Sequence, residues 1–162
     1  MATFDLGMDV DDVQEAQLLP EDWYNCEVVT DPEQQPNKAM KGGGPDADKA
    51  GFNIVLRLRV VDSLPEYNGR QFTMWLPLPN DSDDGVFAGG QPARDSKVAR
   101  IAGVASALSG ESVKGSEATI AEGMRARFLI TQGIDNRDGQ TLRNELAPFT
   151  PPRPIGGEEL SF

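Results

Sequence analysis

Apolar and polar side chains alternate along residues Gly51–Leu78 with a period of two. One set, predicted to face the core, comprises Phe52, Ile54, Leu56, Leu58, Val60, Phe72, Met74, Leu76 and Leu78. The opposite set comprises Asn53, Val55, Arg57, Arg59, Val61, Gln71, Thr73 and Trp75. A turn-like segment, DSLPEYNG, separates the two runs. This alternation predicts an antiparallel hairpin with one buried face rather than a helix.

Two further segments alternate in the same way. Trp23–Thr30 predicts a first strand with Tyr24, Cys26 and Val28 facing inward, and Met124–Gln132 predicts a fourth strand. In the fourth strand Met124, Ala126, Phe128 and Ile130 share the inner face, opposite Arg125 and Arg127. The Asp138–Gly139 pair then predicts a hairpin turn. Thr141–Phe149 follows as a fifth strand of mixed character.

The period changes to that of a helix over Asp95–Leu108. Val98, Ile101, Ala102, Ala105 and Leu108 fall on one helical face. Asp95 or Ser96 is suited to cap the start, and Gly110 to end the helix. The stretch 31–50, with three prolines and a GGG run, predicts a long connection without secondary structure.

This order of elements predicts an all-β-dominated chain with one helix, and more narrowly an OB-fold. That fold is a five-stranded Greek-key barrel, here with the helix between strands three and four. We predict three regions, which are an acidic N-terminal extension (1–22), the OB-fold nucleic-acid-binding domain (23–150) and a flexible acidic C-terminal tail (151–162).

The polar face of the hairpin predicts a binding site for single-stranded nucleic acid. Arg57 and Arg59 suit phosphates, and an exposed Trp75 suits base stacking. An OB-fold binds oligonucleotides across strands two and three, between the loops that join strands one to two and four to five. Basic residues expected around that surface are Lys38, Lys41, Lys49, Arg70, Arg125, Arg127 and Arg137.

The net charge of −11 opposes a nucleic-acid partner, but its distribution weakens the objection. Residues 1–22 hold seven acids and no base, whereas residues 23–152 hold 17 acids and 14 bases. With no histidine and one cysteine, the common catalytic triads and histidine metal sites cannot form. We therefore expect no enzyme activity, metal or cofactor. No segment resembles a membrane span or a signal peptide, so we expect a cytoplasmic protein.

The chain ends in GEELSF, a short acidic peptide with a terminal aromatic residue. Such a peptide suits a basic-rimmed apolar pocket on another protein. We predict that Glu158, Glu159, Leu160 and Phe162 recruit a partner, although the same tip could occupy the protein's own basic groove or be a frayed end.

Three stretches, PEDWYNCEVV, KAGFNIVLRLRVVDSLPEYNGRQFTMWLPL and KVARIAGVASALSG, resemble phage-encoded single-stranded DNA-binding proteins of replication and recombination modules. The similarity lies in a tyrosine-containing first strand, a Y-x-G-R turn (Tyr67–Arg70) and the helix pattern, over about residues 20–150. The resemblance implies a non-enzymatic protein that coats single strands without reading sequence and recruits replication or recombination enzymes through its tail. If the protein is phage-encoded, as this resemblance implies, we expect it in the cytoplasm of the host cell.

Other functions fit the same residues. The acidic charge suits a virion structural or assembly protein, or another β-barrel module that binds protein. An acidic mimic of nucleic acid and a nuclease are further alternatives. Oligomeric state and the choice between DNA and RNA are left open.

Overall fold

The protein is mostly β-structure with one helix. The computed structural model describes residues 1–12, 17–36, 51–79, 85, 90–147 and 150–156. The strands are β1 (Asp22–Val28), β2 (Glu33–Pro36), β3 (Phe52–Val60), β4 (Gln71–Pro77), β5 (Arg125–Ile134) and β6 (Leu142–Leu146). The helix α1 spans Ala93–Ser109, and a short 3₁₀ turn spans Val10–Asp12.

All the strand pairs are antiparallel. In sheet order β1 lies between β3 and β5, β4 pairs with the far edge of β3, and β6 pairs with the far edge of β5. No pairing joins β4 to β6 within the described part of the chain, so these six strands form an open sheet. The predicted closure into a five-stranded barrel is therefore not confirmed.

The strand β2 corrects the prediction of a structureless 31–50 segment. Val28 of β1 pairs with Leu58, and Glu33 of β2 pairs with Val55, so β1 and β2 lie along the same edge of β3. Between these two pairs the chain has four residues from β1 to β2 (29–32) but only two residues in β3 (56–57). The extra residues form a bulge, which bends the strand. The prolines and glutamines of this segment have a low strand propensity, so the sequence did not indicate β2, which pairing with β3 stabilises.

The core lies between the sheet and α1, and the alternating residues fill it as expected. Tyr24, Cys26 and Val28 of β1 are buried, as are the core-facing residues Leu56, Leu58, Val60, Met74, Leu76, Ala126, Phe128 and Ile130. Each fully buried leucine contributes roughly 1.5–3 kcal/mol through removal from water. Phe52 is an exception, because it lies at the start of β3 and is 41 % exposed. Val55 is a second exception, being buried on the opposite face.

The predicted buried face of the helix is confirmed only in the second half of α1. Its buried residues begin at Ile101 and include Val104, Ala105 and Leu108, whereas Val98 is 49 % exposed. Only the second half of α1 is buried, so a face extrapolated back to the first turns was wrong. The start was also wrong, because the helix follows Pro92 with no side-chain cap, whereas the ending at Gly110 is confirmed by its left-handed φ of 76°.

Residues before β1 are tied into the same core. Leu19 is fully buried, its N–H donates to Asn144 Oδ1 at 2.7 Å, and its carbonyl accepts from Asn144 Nδ2 at 2.9 Å. Pro20 O accepts from the Tyr24 hydroxyl at 2.6 Å. In the described residues no helix has the length and apolarity to cross a membrane.

Candidate nucleic-acid interface

The side of the sheet opposite the core, called the outer face below, carries alternate residues of β4, β3, β1 and β5. At one end of it Trp75 is 56 % exposed and pairs across the strands with Val55. Arg57, two residues along β3 and paired with Thr73, is the diagonal neighbour of Trp75. Diagonal positions are about 7–8 Å apart, which a long side chain spans. Arg57 is exposed and forms no ion pair with another described residue. The register therefore brings one available guanidinium next to an exposed indole.

Arg59 and Arg125 are engaged by an acid that the sequence analysis passed over. Glu27 on β1 pairs in register with Arg59 on one side and with Arg125 on the other. Its carboxylate accepts from Arg59 Nη2 at 2.5 Å and from Arg125 Nε at 2.7 Å. These hydrogen bonds, that from Arg59 foremost, hold the pKa of Glu27 below its usual value. Arg125 also contacts Asp62 at 3.1 Å.

The other predicted arginines are scattered. Arg137 lies in the β5–β6 turn, where its Nη2 contacts Asp135 Oδ2 at 2.9 Å. The guanidinium lowers the pKa of Asp135, and the carboxylate in turn raises the pKa of Arg137. Arg70 is half-buried before β4, where its carbonyl accepts the Val60 N–H at 2.9 Å. Arg127 lies on the outer face of β5, in register with Asn25.

Several predicted binding residues lie outside the described residues. These are Lys38, Lys41 and Lys49 of the loop, and Glu158, Glu159, Leu160 and Phe162 of the tail.

A second aromatic–cation pair lies on the same face and was missed by the sequence analysis. The guanidinium carbon of Arg153 is 4.3 Å from the ring centroid of Trp23. Such a stack is attractive because the ring face is electron-rich. The alternation of β1 already places Trp23 on the side opposite Tyr24 and Cys26, so its position on the half-buried outer face could have been predicted. The partner Arg153 was not, since it lies 130 residues away in a proline-rich segment.

The open edges of the sheet leave a groove of about 440 Å³ between β4 and β6. It is bordered by Trp75, Arg100, Arg143 and Glu145. Arg143 contacts Glu145 at 3.7 Å, and burial lowers the pKa of Arg100. Trp75 therefore borders both the outer face and this groove.

The chemistry of these surfaces suits binding. No cluster of three or more acidic or cysteine side chains among the described residues is placed to hold a metal ion. The exposed ring of Trp75, the half-buried ring of Trp23 and the guanidinium groups offer stacking and charge, which are the interactions of non-specific single-strand binding. In comparisons with known proteins, no family model matches the chain and no curated protein matches it in sequence.

Proposed function

We propose that this protein is a non-catalytic, sequence-independent single-stranded DNA-binding protein. The observation that carries the proposal is the exposed Trp75 on one face of a β-sheet, beside Arg57, which has no ion pair with another described residue. Large exposed aromatic residues are uncommon on a polar sheet face and often indicate a binding site. Recruitment of replication or recombination proteins through the tail, and a phage origin, belong to the same proposal.

The order of strand pairing supports the OB-fold as the underlying architecture. If β1 and β2 count as one bent strand, the first strand pairs with the second (β3) and with the fourth (β5). The second pairs with the third (β4), and the fourth with the fifth (β6), with α1 between the third and fourth. An OB-fold is itself a partly open barrel. The missing pairing, β4 with β6, is the one that would close it, and the surface of strands two and three then corresponds to the face that carries Arg57 and Trp75.

The energetics are modest for each contact and depend on salt. A base stacked on Trp75 contributes about 1–3 kcal/mol whatever its identity. A phosphate neutralised by Arg57 releases counterions, so affinity falls as salt rises. A site of this kind binds single strands without discriminating among their sequences.

The test is the affinity for labelled oligo-dT, measured by fluorescence anisotropy at low and moderate salt. We expect Trp75→Ala to weaken binding by about 1–3 kcal/mol, and Arg57→Ala to weaken it and reduce the salt dependence. Matched controls are Phe4→Ala, an exposed aromatic residue outside the sheet, and Lys114→Ala, an exposed cation outside the strands. Affinity that survives both site substitutions unchanged would show that this face is not the binding site.

A virion structural or assembly role, or another protein-binding role, is the second candidate. The capture of Arg59 and Arg125 by Glu27 favours it, because a face with fewer available cations attracts phosphates less. This alternative predicts no binding of oligo-dT even at low salt.

A further inference from the structure

An open groove of about 740 Å³ lies at the opposite end of the outer face from Trp75. It is bounded by the start of β1, the turn between β3 and β4, and the segment that follows β6. Its lining includes Trp23, Asn25, Leu64, Tyr67, Arg127 and Ile155. Aromatic, amide and cationic side chains thus converge on one concave surface, as they do in ligand sites.

The groove is built on paired backbone. Arg153 N–H donates to Arg127 O at 2.8 Å, and Arg127 N–H donates to Arg153 O at 2.7 Å. This bridge adds the C-terminal segment to the edge of β5 and brings the Arg153 guanidinium over Trp23. The tryptophan is also held by its strand, since it pairs with Leu129 of β5. A stacking surface fixed in this way loses little conformational freedom when a ligand binds.

The charges around the groove are compatible with a phosphate. Arg127 and Asn25 are in register on neighbouring strands, so a cation and an amide lie side by side. Two carboxylates line the rim, Asp22 and Asp62. The Asp62 carboxylate contacts the Arg125 guanidinium at 3.1 Å, and the Asp22 carboxylate accepts the backbone N–H of Trp23 at 2.7 Å. Asp62 is therefore ion-paired, whereas Asp22 keeps its charge at the rim and Arg127 is the cation that faces it across the groove.

We propose that this groove is a second nucleotide site, in which a base stacks against the Trp23–Arg153 pair and Arg127 contacts its phosphate. This second site rests on the proposed function, and it adds where another base binds and which route the DNA strand takes between the two sites. Arg59 and Glu27 are paired across β3 and β1, and they mark a common level on the outer face. Trp75 lies at the level of Val55, four residues to one side of this level, and Trp23 lies four residues to the other side. Eight residue steps along the strands correspond to about 26 Å. One DNA strand that occupies both sites must therefore cross the outer face.

The two tryptophans of the chain allow each site to be observed separately. Trp75→Phe leaves Trp23 as the only indole, and Trp23→Phe leaves Trp75, while phenylalanine retains the ability to stack. We expect oligo-dT of about 12 nucleotides, within the range of OB-fold sites, to quench both single-tryptophan proteins. We also expect Arg127→Ala to weaken binding of this oligomer several-fold and Lys114→Ala to leave it unchanged.

The outcomes separate the two proposals. If the oligomer quenches Trp75 in Trp23→Phe but leaves Trp23 fluorescence unchanged in Trp75→Phe, the second site is wrong and the proposed function holds. If the oligomer quenches neither protein and does not bind by anisotropy, the proposed function itself fails. Circular dichroism of each variant establishes that the fold is retained.

Discussion

Replacement of Glu27 by glutamine tests whether this carboxylate keeps Arg59 and Arg125 from binding phosphates. The carboxylate lies between Arg59 and Arg125, accepts a hydrogen bond from each, and its side chain is only 12 % exposed. These three side chains carry a net charge of +1. Glutamine has nearly the same shape and removes only the negative charge, so the net charge of the three side chains becomes +2. Arg59 then has no carboxylate beside it among the described residues, and Arg125 keeps only its exposed contact with Asp62, with which a phosphate can compete.

The size of the effect follows from counterion release. Each phosphate neutralised on a single strand changes the slope of log affinity against log salt by about 0.7, so two additional contacts steepen it by about 1.4. Between 50 and 200 mM salt, this slope corresponds to a further loss of about sevenfold. We therefore expect Glu27→Gln to bind oligo-dT more tightly than the wild type at low salt and to lose this advantage as salt rises.

The assay is anisotropy of labelled oligo-dT at a series of salt concentrations. Glu117→Gln is the matched control, because it removes the same charge at an exposed position outside the strands. A slope for Glu27→Gln equal to that of Glu117→Gln would refute the idea that Glu27 withholds two arginines from DNA.

Stability against pH gives an independent check on the same ion pairs. Because the pKa of Glu27 is lowered in the folded protein, its contribution to stability is present above the unfolded value, about 4.3. That contribution is lost as the pH falls through the folded pKa. The melting temperature of the wild type should exceed that of Glu27→Gln at pH 7, and the difference should shrink below pH 4. A difference that does not depend on pH would mean that the carboxylate is not ion-paired.

Three further outcomes test local features of the fold. Gly110→Ala should destabilise the protein by about 1 kcal/mol in thermal unfolding, because φ is 76°, a left-handed conformation that alanine disfavours. Gly110→Asn should destabilise it less, since asparagine tolerates this conformation and a Cβ here contacts nothing within 4 Å. Equal losses for the two variants would contradict this. Burial raises the pKa of Cys26 to about 12, so the thiol should resist a disulfide reagent at pH 8 until the protein unfolds, and rapid labelling of the native protein would contradict its burial. Hydrogen bonds from the Thr141 hydroxyl and from the N–H groups of Thr141 and Gln140 lower the pKa of Asp138 to about 2. The β5–β6 turn should therefore loosen only as the pH falls from about 4 to 2, and a titration midpoint near 4 in the Thr141 amide shift would show that these bonds are absent.

The strands and the core could be predicted because a half-buried sheet imposes a period of two on its sequence. Leu56, Leu58 and Val60 are buried, and Arg57 and Arg59 are exposed, as the alternation requires. Register preserves this pattern, since a slip of one residue would exchange the two faces.

What could not be predicted depends on which strands become neighbours. Glu27 lies 32 residues from Arg59 and 98 from Arg125, so no local pattern shows that it neutralises them. The same holds for Arg153 and Trp23. The β2 segment was missed because its propensity is poor and its stability comes from pairing with β3. Composition thus fixes how many charges exist, and only the register decides which of them are available.

The position of Glu27 also links the two proposed base-stacking sites. Trp75 and Trp23 lie on opposite sides of the row formed by Arg59, Glu27 and Arg125. A strand of DNA that stacks on both rings must pass over this row, where its phosphates compete with the carboxylate for two guanidinium groups. Salt weakens the attraction of DNA to these arginines more than it weakens the ion pairs with Glu27, because the glutamate side chain is largely shielded from water. Glu27, which offsets the positive charge of this row, would then set the salt concentration above which the protein binds DNA at one tryptophan rather than at two.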